Sequence, residues 1–302
     1  MTYDLIIIGL GPAGITAGIY AKRQNLNCVV IGGSFGGQMM SKAVEIENYP
    51  GFEKITGFEL MTKMKEHLES MNVDIIESDV LEIEKGDLFK VKLDSDEIFY
   101  GKTVIIATGA SHRKLNVEGE ADYLGKGVSY CTTCDGPLFR GKDVAVIGGG
   151  EAGFEAARFL SSYANKIYIL ERGREPLASK ANQDIIASDP KIEVICNAEI
   201  KKIEGKDFVE KLIYEVENES RFLPVGGVFV QIGYVPASKI FKSLVGMNNK
   251  NEIIMDHDTC ETNIPGVFAA GDVSDNKVKQ IVVACSDGAK AALSAYKYLT
   301  KK

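Results

Sequence analysis

"LIIIGLGPAGITAGIYA" (Leu5–Ala21) decides the fold. It reads as a buried strand over Asp4–Gly9, a glycine turn, and a helix over Pro12–Arg23. Gly9-Leu10-Gly11-Pro12-Ala13-Gly14 fits the pattern G-x-G-x-x-G. The first glycine permits a tight turn, the second lets a pyrophosphate approach the backbone, and the third lets helix and strand pack closely. The helix start then offers free N–H groups and partial positive charge to phosphate. A glycine turn with no ligand is the bland alternative, and the strand–helix context favours a nucleotide. One element is missing. An acid is expected near the end of the second strand, on the ribose hydroxyls. Here that strand ends Val30-Ile31-Gly32-Gly33, so the ribose contact comes from elsewhere or is weak.

The pattern returns in "VAVIGGGEAGFEAARFL" (Val144–Leu160), with the two fingerprints starting 139 residues apart. Around them, Val- and Ile-rich runs alternate with helical patterns. "CVVIG" (Cys28–Gly32), "KTVIIATG" (Lys102–Gly109), "KIYILE" (Lys166–Glu171) and "VGGVFVQIG" (Val225–Gly233) read as strands. Phe58–Met71, Glu151–Tyr163 and Gln280–Leu299 read as helices. Strand–helix alternation predicts an α/β protein with two doubly wound, Rossmann-like parallel sheets. The spacing indicates a duplicated unit rather than a short repeat. Crossovers are expected near Leu115–Gly119 and Gly233–Ser238.

At 302 residues, two ordinary domains are the default. The formal charge of −7 disfavours a general nucleic-acid or anionic-membrane role. No apolar run reaches the roughly 20 residues of a membrane span. The first strand begins at Tyr3 or Asp4, which leaves no room for a leader, and a cytoplasmic protein is expected. Six cysteines are few and mostly scattered, so a disulfide-stapled secreted fold is disfavoured.

Cys131 and Cys134 form the one C-x-x-C, in "YCTTCDG" (Tyr130–Gly136). They stand one helical turn apart or across a tight turn, and either geometry allows a disulfide. A thiol in such a pair often has a lowered pKa. Asp135 follows directly, where a carboxyl can give a proton to a leaving thiolate or take one back. A zinc half-site or two buried thiols are the competing readings. Zinc wants four ligands, there is no second C-x-x-C, and His67, His112 and His257 form no spaced pair. A redox pair is favoured, and no metal site is expected.

Together, the first fingerprint, C-T-T-C-D-G and the second fingerprint resemble the low-molecular-weight thioredoxin reductases over essentially the whole chain. "GGQ" (Gly36–Gln38) and "EIENYPGF" (Glu45–Phe52) look like that family's flavin-contacting segment. "ATGASHRKL" (Ala107–Leu115) looks like its strand and crossover, and "GVFVQIGYVP" (Gly227–Pro236) like the return. "GVFAAGDV" (Gly266–Val273) matches the motif whose Asp, here Asp272, contacts the flavin ribityl chain. The resemblance implies FAD bound by Gly9, Gly11, Pro12, Ala13, Gly14, Gly37, Gln38, Asn48, Ala107, Thr108, Gly109, Gly271, Asp272, Gln280 and Ile281. It implies a discontinuous FAD domain (1–115 and 238–302), a dithiol domain (116–237) and a homodimer. Cys134 would take electrons from the flavin, Cys131 would attack the disulfide of a thioredoxin-like partner, and Asp135 would serve as acid and base. The family rotates one domain against the other, because a buried pair cannot reach a protein disulfide.

The second fingerprint departs from the family. Nicotinamide-dependent relatives read G-G-G-D/N-S-A where this chain has Gly148-Gly149-Gly150-Glu151-Ala152-Gly153. Glu151 suits the helix dipole but opposes a pyrophosphate. NADPH-using relatives carry H-R-R-x-x-x-R near "LERGREPLAS" (Leu170–Ser179). Here Glu171 replaces the His, Arg172 is kept, and Gly173 and Leu177 replace the other two Arg. A 2′-phosphate wants a cationic clamp, best built from Arg. Three donor readings stand. Glu171, 18 residues after Gly153, is placed for an NADH ribose. Arg172 and Arg174 could improvise an NADPH site. Or the site is vestigial and reduced ferredoxin supplies electrons, as in one branch of the family. Ferredoxin is favoured, because the family's Y-R-Q before the last helix has also drifted, to Val278-Lys279-Gln280. Lys277 and Lys279 would then form a surface pair for an acidic partner. Rival classes are a flavin redox sensor or scaffold dimer without turnover, and a ferredoxin–NADP reductase, which needs no C-x-x-C. A peroxide-reducing system's flavoprotein subunit would carry a further N-terminal domain.

Overall fold

The computed structural model describes residues 2–40 and 45–301, apart from the side chain of Glu45. Two compact units emerge, residues 1–111 with 235–302, and residues 112–234. The chain passes between them in the strands Ala110–His112 and Tyr234–Pro236. These divisions fall earlier than the expected 115/116 and 237/238. Leu115 and Val117 pack on the core of the second unit, and the Tyr234 ring lies against His112.

In the first unit, strands Asp74–Ile76, Cys28–Ile31, Thr2–Ile8 and Ile98–Ile106 lie side by side and parallel. The last of these is longer than the run beginning at Lys102. Its first half pairs antiparallel with Phe89–Leu93, and its second half parallel with Val267–Ala269. Leu5, Ile6 and Ile7 are fully buried, as continuous apolar strands of parallel sheets are. Pro12–Arg23 forms the first helix, with Pro12 in its opening turn. Gly57–Ser70 starts one residue before the predicted helix. Thr56 caps it reciprocally with Glu59, whose N–H donates to Thr56 Oγ1 at 3.2 Å while Thr56 N–H donates back to Glu59 Oε2 at 3.1 Å.

The second unit repeats the plan. Val128–Ser129, Gly227–Val230, Asp143–Ile147, Lys166–Leu170 and Ile192–Ile195 form an all-parallel sheet. Its two faces divide by alternation: Val144, Val146 and Phe229 pack with Phe154 and Ala157 of the Glu151–Leu160 helix, while Ala145, Ile147 and Val230 pack with Leu212 and Leu223. Those last residues belong to a three-stranded antiparallel sheet, Glu199–Gly205, Val209–Val216 and Glu219–Pro224. A similar antiparallel addition, Val80–Lys85 with Phe89–Leu93, extends the first unit's sheet. The parallel reading overlooked both. Their signal is the polar–apolar alternation of "FKVKL" and "VEKLIYEV", with Glu217-Asn218 at φ 53° and 65°, the two-residue turn that hairpin twist favours.

Candidate active site

In the first unit, the expected flavin residues gather around the start of the first helix. Gly9 has φ +128°, and a Cβ there would overlap the Ala107 carbonyl. Gly14 packs so closely on Gly9 that a Cβ would overlap the Gly9 carbonyl. Gly11 caps the helix with open space beside it. No side chain caps this end, and no acid stands in its first turn. Those are the properties of a pyrophosphate cradle. The remaining segments close on it. Gly36 N–H donates to Leu10 O at 2.9 Å, leading into the short helix Gly37–Met40. Gln38 donates to Ala110 O, and Thr108 Oγ1 to Ala237 O at 2.7 Å. Asn48 Nδ2 donates to Gln280 Oε1 at 3.2 Å, and Gln280 caps the Ile281–Thr300 helix. Gly271, at φ +73°, lies so close that a Cβ would stand 3.1 Å from Ala13 Cβ. Segments at residues 9–14, 36–38, 48, 107–110 and 271–281 therefore share one region.

Asp272 sits on this turn, and burial pushes its carboxyl up to about 6, with Lys279 opposing the shift and Asp287 adding to it. Its folded value lies above the unfolded 3.8, so its contribution to stability is complete below pH 4 and is lost as pH rises through 6. Flavin-free protein should lose on the order of 2–3 kcal/mol from this group over that interval. Urea titrations of Asp272→Asn should lack that part of the slope, and an unchanged slope would refute the assignment.

The structure corrects one expectation. Lys279 is no surface lysine: its side chain is only 7% exposed and pairs with Glu252 at 3.2 Å. Its ammonium also donates to the carbonyls of Asp272, at 3.0 Å, and Ser274, at 2.6 Å. Lys279 and Glu252 thus hold the turn that carries Asp272. Neither role was legible in sequence, because the pairing spans two distant loops. Of the two lysines, Lys277 is the exposed one.

In the second unit, Cys131 and Cys134 are joined as a disulfide, with Cα atoms 5.3 Å apart. Cys131 caps the Thr132–Asp135 helical turn, and Cys134 N–H donates to Cys131 Sγ at 3.2 Å. An N–H aimed at a sulfur favours its thiolate form. Burial pushes the Asp135 carboxyl up, against a lowering hydrogen bond with Ser129. Ser129 is itself buried, and its Oγ accepts from Cys131 N–H at 3.0 Å. Upstream, Glu120 accepts from Leu115 N–H and Asn116 N–H, both at 2.8 Å, and from Tyr130 OH at 2.7 Å. It fastens the residue before Cys131 to the start of the unit. Among the described residues, no three His, Cys, Asp or Glu side chains gather as a metal site.

The second fingerprint folds as the first does, with Gly148 at φ +120° and Gly153 against the Gly148 carbonyl. Its surroundings differ. Glu171 accepts from Gly149 N–H and from Gly173 N–H, both at 2.6 Å. Leu177 and Ala178 N–H donate to Gly149 O at 2.9 and 3.0 Å. Glu151 accepts from Asn182 and, at 2.7 Å, from Ser179 N–H, and these bonds hold its carboxyl below the ordinary range. Two carboxylates of the chain itself therefore stand at this glycine turn. Arg172 and Arg174 are exposed.

Comparison with known proteins agrees with this architecture. Residues 3–288 match the model of the pyridine nucleotide-disulphide oxidoreductase family. A thioredoxin reductase of Listeria innocua is 40% identical, over 98% of this chain and 94% of that protein. An NADH dehydrogenase of Bacillus subtilis is 39% identical over 99% of this chain, which spans 59% of it. The crystal structure of thioredoxin reductase from Streptococcus pyogenes is 41% identical and superposes with a TM-score of 0.93, covering 100% of this chain and 99% of that one. The chain belongs to the pyridine nucleotide-disulphide oxidoreductases, in their low-molecular-weight thioredoxin reductase branch. Thioredoxin reductases of this family are FAD-binding flavoproteins, and the cradle at Gly9–Gly14 fits that cofactor. No helix among the described residues is long and apolar enough to cross a membrane.

Proposed function

We propose that this protein is a homodimeric thioredoxin reductase whose electrons come from reduced ferredoxin rather than from a pyridine nucleotide. Bound FAD supplies the electron pair that a disulfide needs. The chain's own residues handle the rest. When the Cys131–Cys134 bond takes two electrons, Asp135, held protonated to higher pH by burial, gives a proton to the Cys134 sulfur. The Cys131 thiolate, steadied by the Cys134 N–H, attacks the partner disulfide. One partner sulfur leaves as a thiolate and takes a proton from water, and a mixed disulfide forms. Cys134, giving its proton back to Asp135, then attacks Cys131. The Cys131–Cys134 bond re-forms and the partner departs as a dithiol. Leu138, 62% exposed just beyond the pair, offers that partner an apolar contact.

The donor reading is carried by the second glycine turn. A nicotinamide dinucleotide would bring its pyrophosphate to the start of the Glu151–Leu160 helix, where Glu151 and Glu171 already stand. A 2′-phosphate would meet one retained arginine of the expected clamp. The test is an anaerobic titration followed at the visible flavin band. Reduced ferredoxin should bleach the flavin stoichiometrically, and NADPH at the same concentration should leave it oxidised. Rapid bleaching by NADPH would sink the proposal. NADH is the second reading, favoured by Glu171 at a ribose-acid position and by similarity to a protein named NADH dehydrogenase. Rapid bleaching by NADH would establish it instead. Light scattering of the purified protein checks the dimer.

A further inference from the structure

The flavin site has no acid at the end of its second strand. In dinucleotide folds such an acid binds the adenosine ribose, yet Cys28–Ile31 runs into Gly32-Gly33. A carboxylate is present there all the same. A Cβ on Gly33 would overlap the Asp79 side chain, whose Oδ1, Cγ and Oδ2 are its three nearest neighbours. The position lies beside the fingerprint, since a Cβ on Gly32 would stand 2.9 Å from Leu10 N. Gly32 N–H donates to Ile76 O at 3.0 Å, which ties the strand end to the segment leading to Asp79. Asp94 fixes the Asp79 backbone: its Oδ1 accepts from Asp79 N–H at 3.2 Å, and its N–H donates to Asp79 O at 2.9 Å. The Asp79 carboxylate is exposed and makes no hydrogen bond or ion pair among the described residues.

We propose that Asp79 is the ribose acid of this flavin site: its carboxylate accepts the adenosine ribose hydroxyls of FAD, from the neighbouring strand's exit rather than from the second strand. Gly33 is small because the Asp79 side chain lies against it. The proposal rests on FAD as cofactor and is independent of the electron donor.

The test uses holoenzymes. Dilution into the nanomolar range releases FAD, and flavin fluorescence reports the dissociation constant. Asp79→Ala should weaken FAD by about tenfold to a hundredfold, the range for hydrogen bonds to a charged group. A structural role could mimic that loss, so a second arm displaces FAD with an analogue lacking the adenosine ribose hydroxyls. Wild type should bind the analogue tenfold or more weakly than FAD, whereas Asp79→Ala should bind both alike. Equal discrimination by the two proteins would overturn the proposal. Asp79→Asn keeps the side-chain shape if the alanine variant folds poorly, and it should also lose discrimination. Gly33→Asp in the Asp79→Ala background returns an acid to the strand end and should restore it. Absence of flavin from the wild type would count against the cofactor itself, a different failure.

Discussion

Cys134→Ser should leave the flavin reducible and cut thioredoxin reduction by about 10³-fold or more. With Ser at 134 the disulfide cannot form, so electrons have no dithiol to enter. Cys131 remains and retains its position before the helical turn. Its thiolate can still attack a partner disulfide once, but nothing resolves the product. A stoichiometric mixed disulfide with thioredoxin should therefore accumulate, visible on a non-reducing gel. Steady thioredoxin turnover by this variant would mean that the Cys131–Cys134 pair is not the exchange centre. The same result separates the reductase from the redox-sensor reading, in which the flavin and the pair would have no common traffic to lose.

A second large effect is expected away from the sulfur chemistry. Lys279→Met should destabilise the protein by about 3 kcal/mol, the lower end of the cost of breaking a buried ion pair. Glu252, with a side chain 15% exposed, would lose its cation, and the carbonyls of Asp272 and Ser274 would lose their shared donor. In a unit of this size, that amounts to a fall in Tm of about 10 °C. Calorimetry of the single variant and of Lys279→Met/Glu252→Met decides the matter. The double variant should recover most of the loss, because removing both charges also removes their desolvation cost. FAD retention should fall in the single variant, since Asp272 rides on the turn that Lys279 holds. A single variant within 1 kcal/mol of wild type would show that the pair carries no weight.

Much of the site was legible in sequence because its parts are local. Gly9, Gly11 and Gly14 act through backbone geometry within six residues: Gly9 and Gly14 each meet a close carbonyl, and Gly11 keeps open space beside the helix start. Cys131 and Cys134 are close in any compact conformation of four residues. Lys279 was misread for the opposite reason. Its neighbours Lys277 and Val278 are exposed, and its side chain is held inward by Glu252, far back in the chain, and by the carbonyls of Asp272 and Ser274. The antiparallel strands escaped for a related cause, since their alternation is weaker than the continuous apolar runs of the parallel strands.

By itself, the sequence determined the duplicated strand–turn–helix plan, the glycine turns and the Cys131/Cys134 spacing. Those follow from steric rules and spacing that hold wherever the units lie. Tertiary structure decided what surrounds each glycine turn. Neither helix start has a side-chain cap, but the first has no acid in its opening turn, whereas Glu151 opens the second and Glu171 accepts from Gly149 N–H. Two similar hexapeptides thus differ in the carboxylates at their helix starts. Glu151 belongs to the second hexapeptide itself and is legible there, whereas Glu171 arrives from the end of the Lys166–Leu170 strand, and only folding brings its carboxylate to Gly149 N–H.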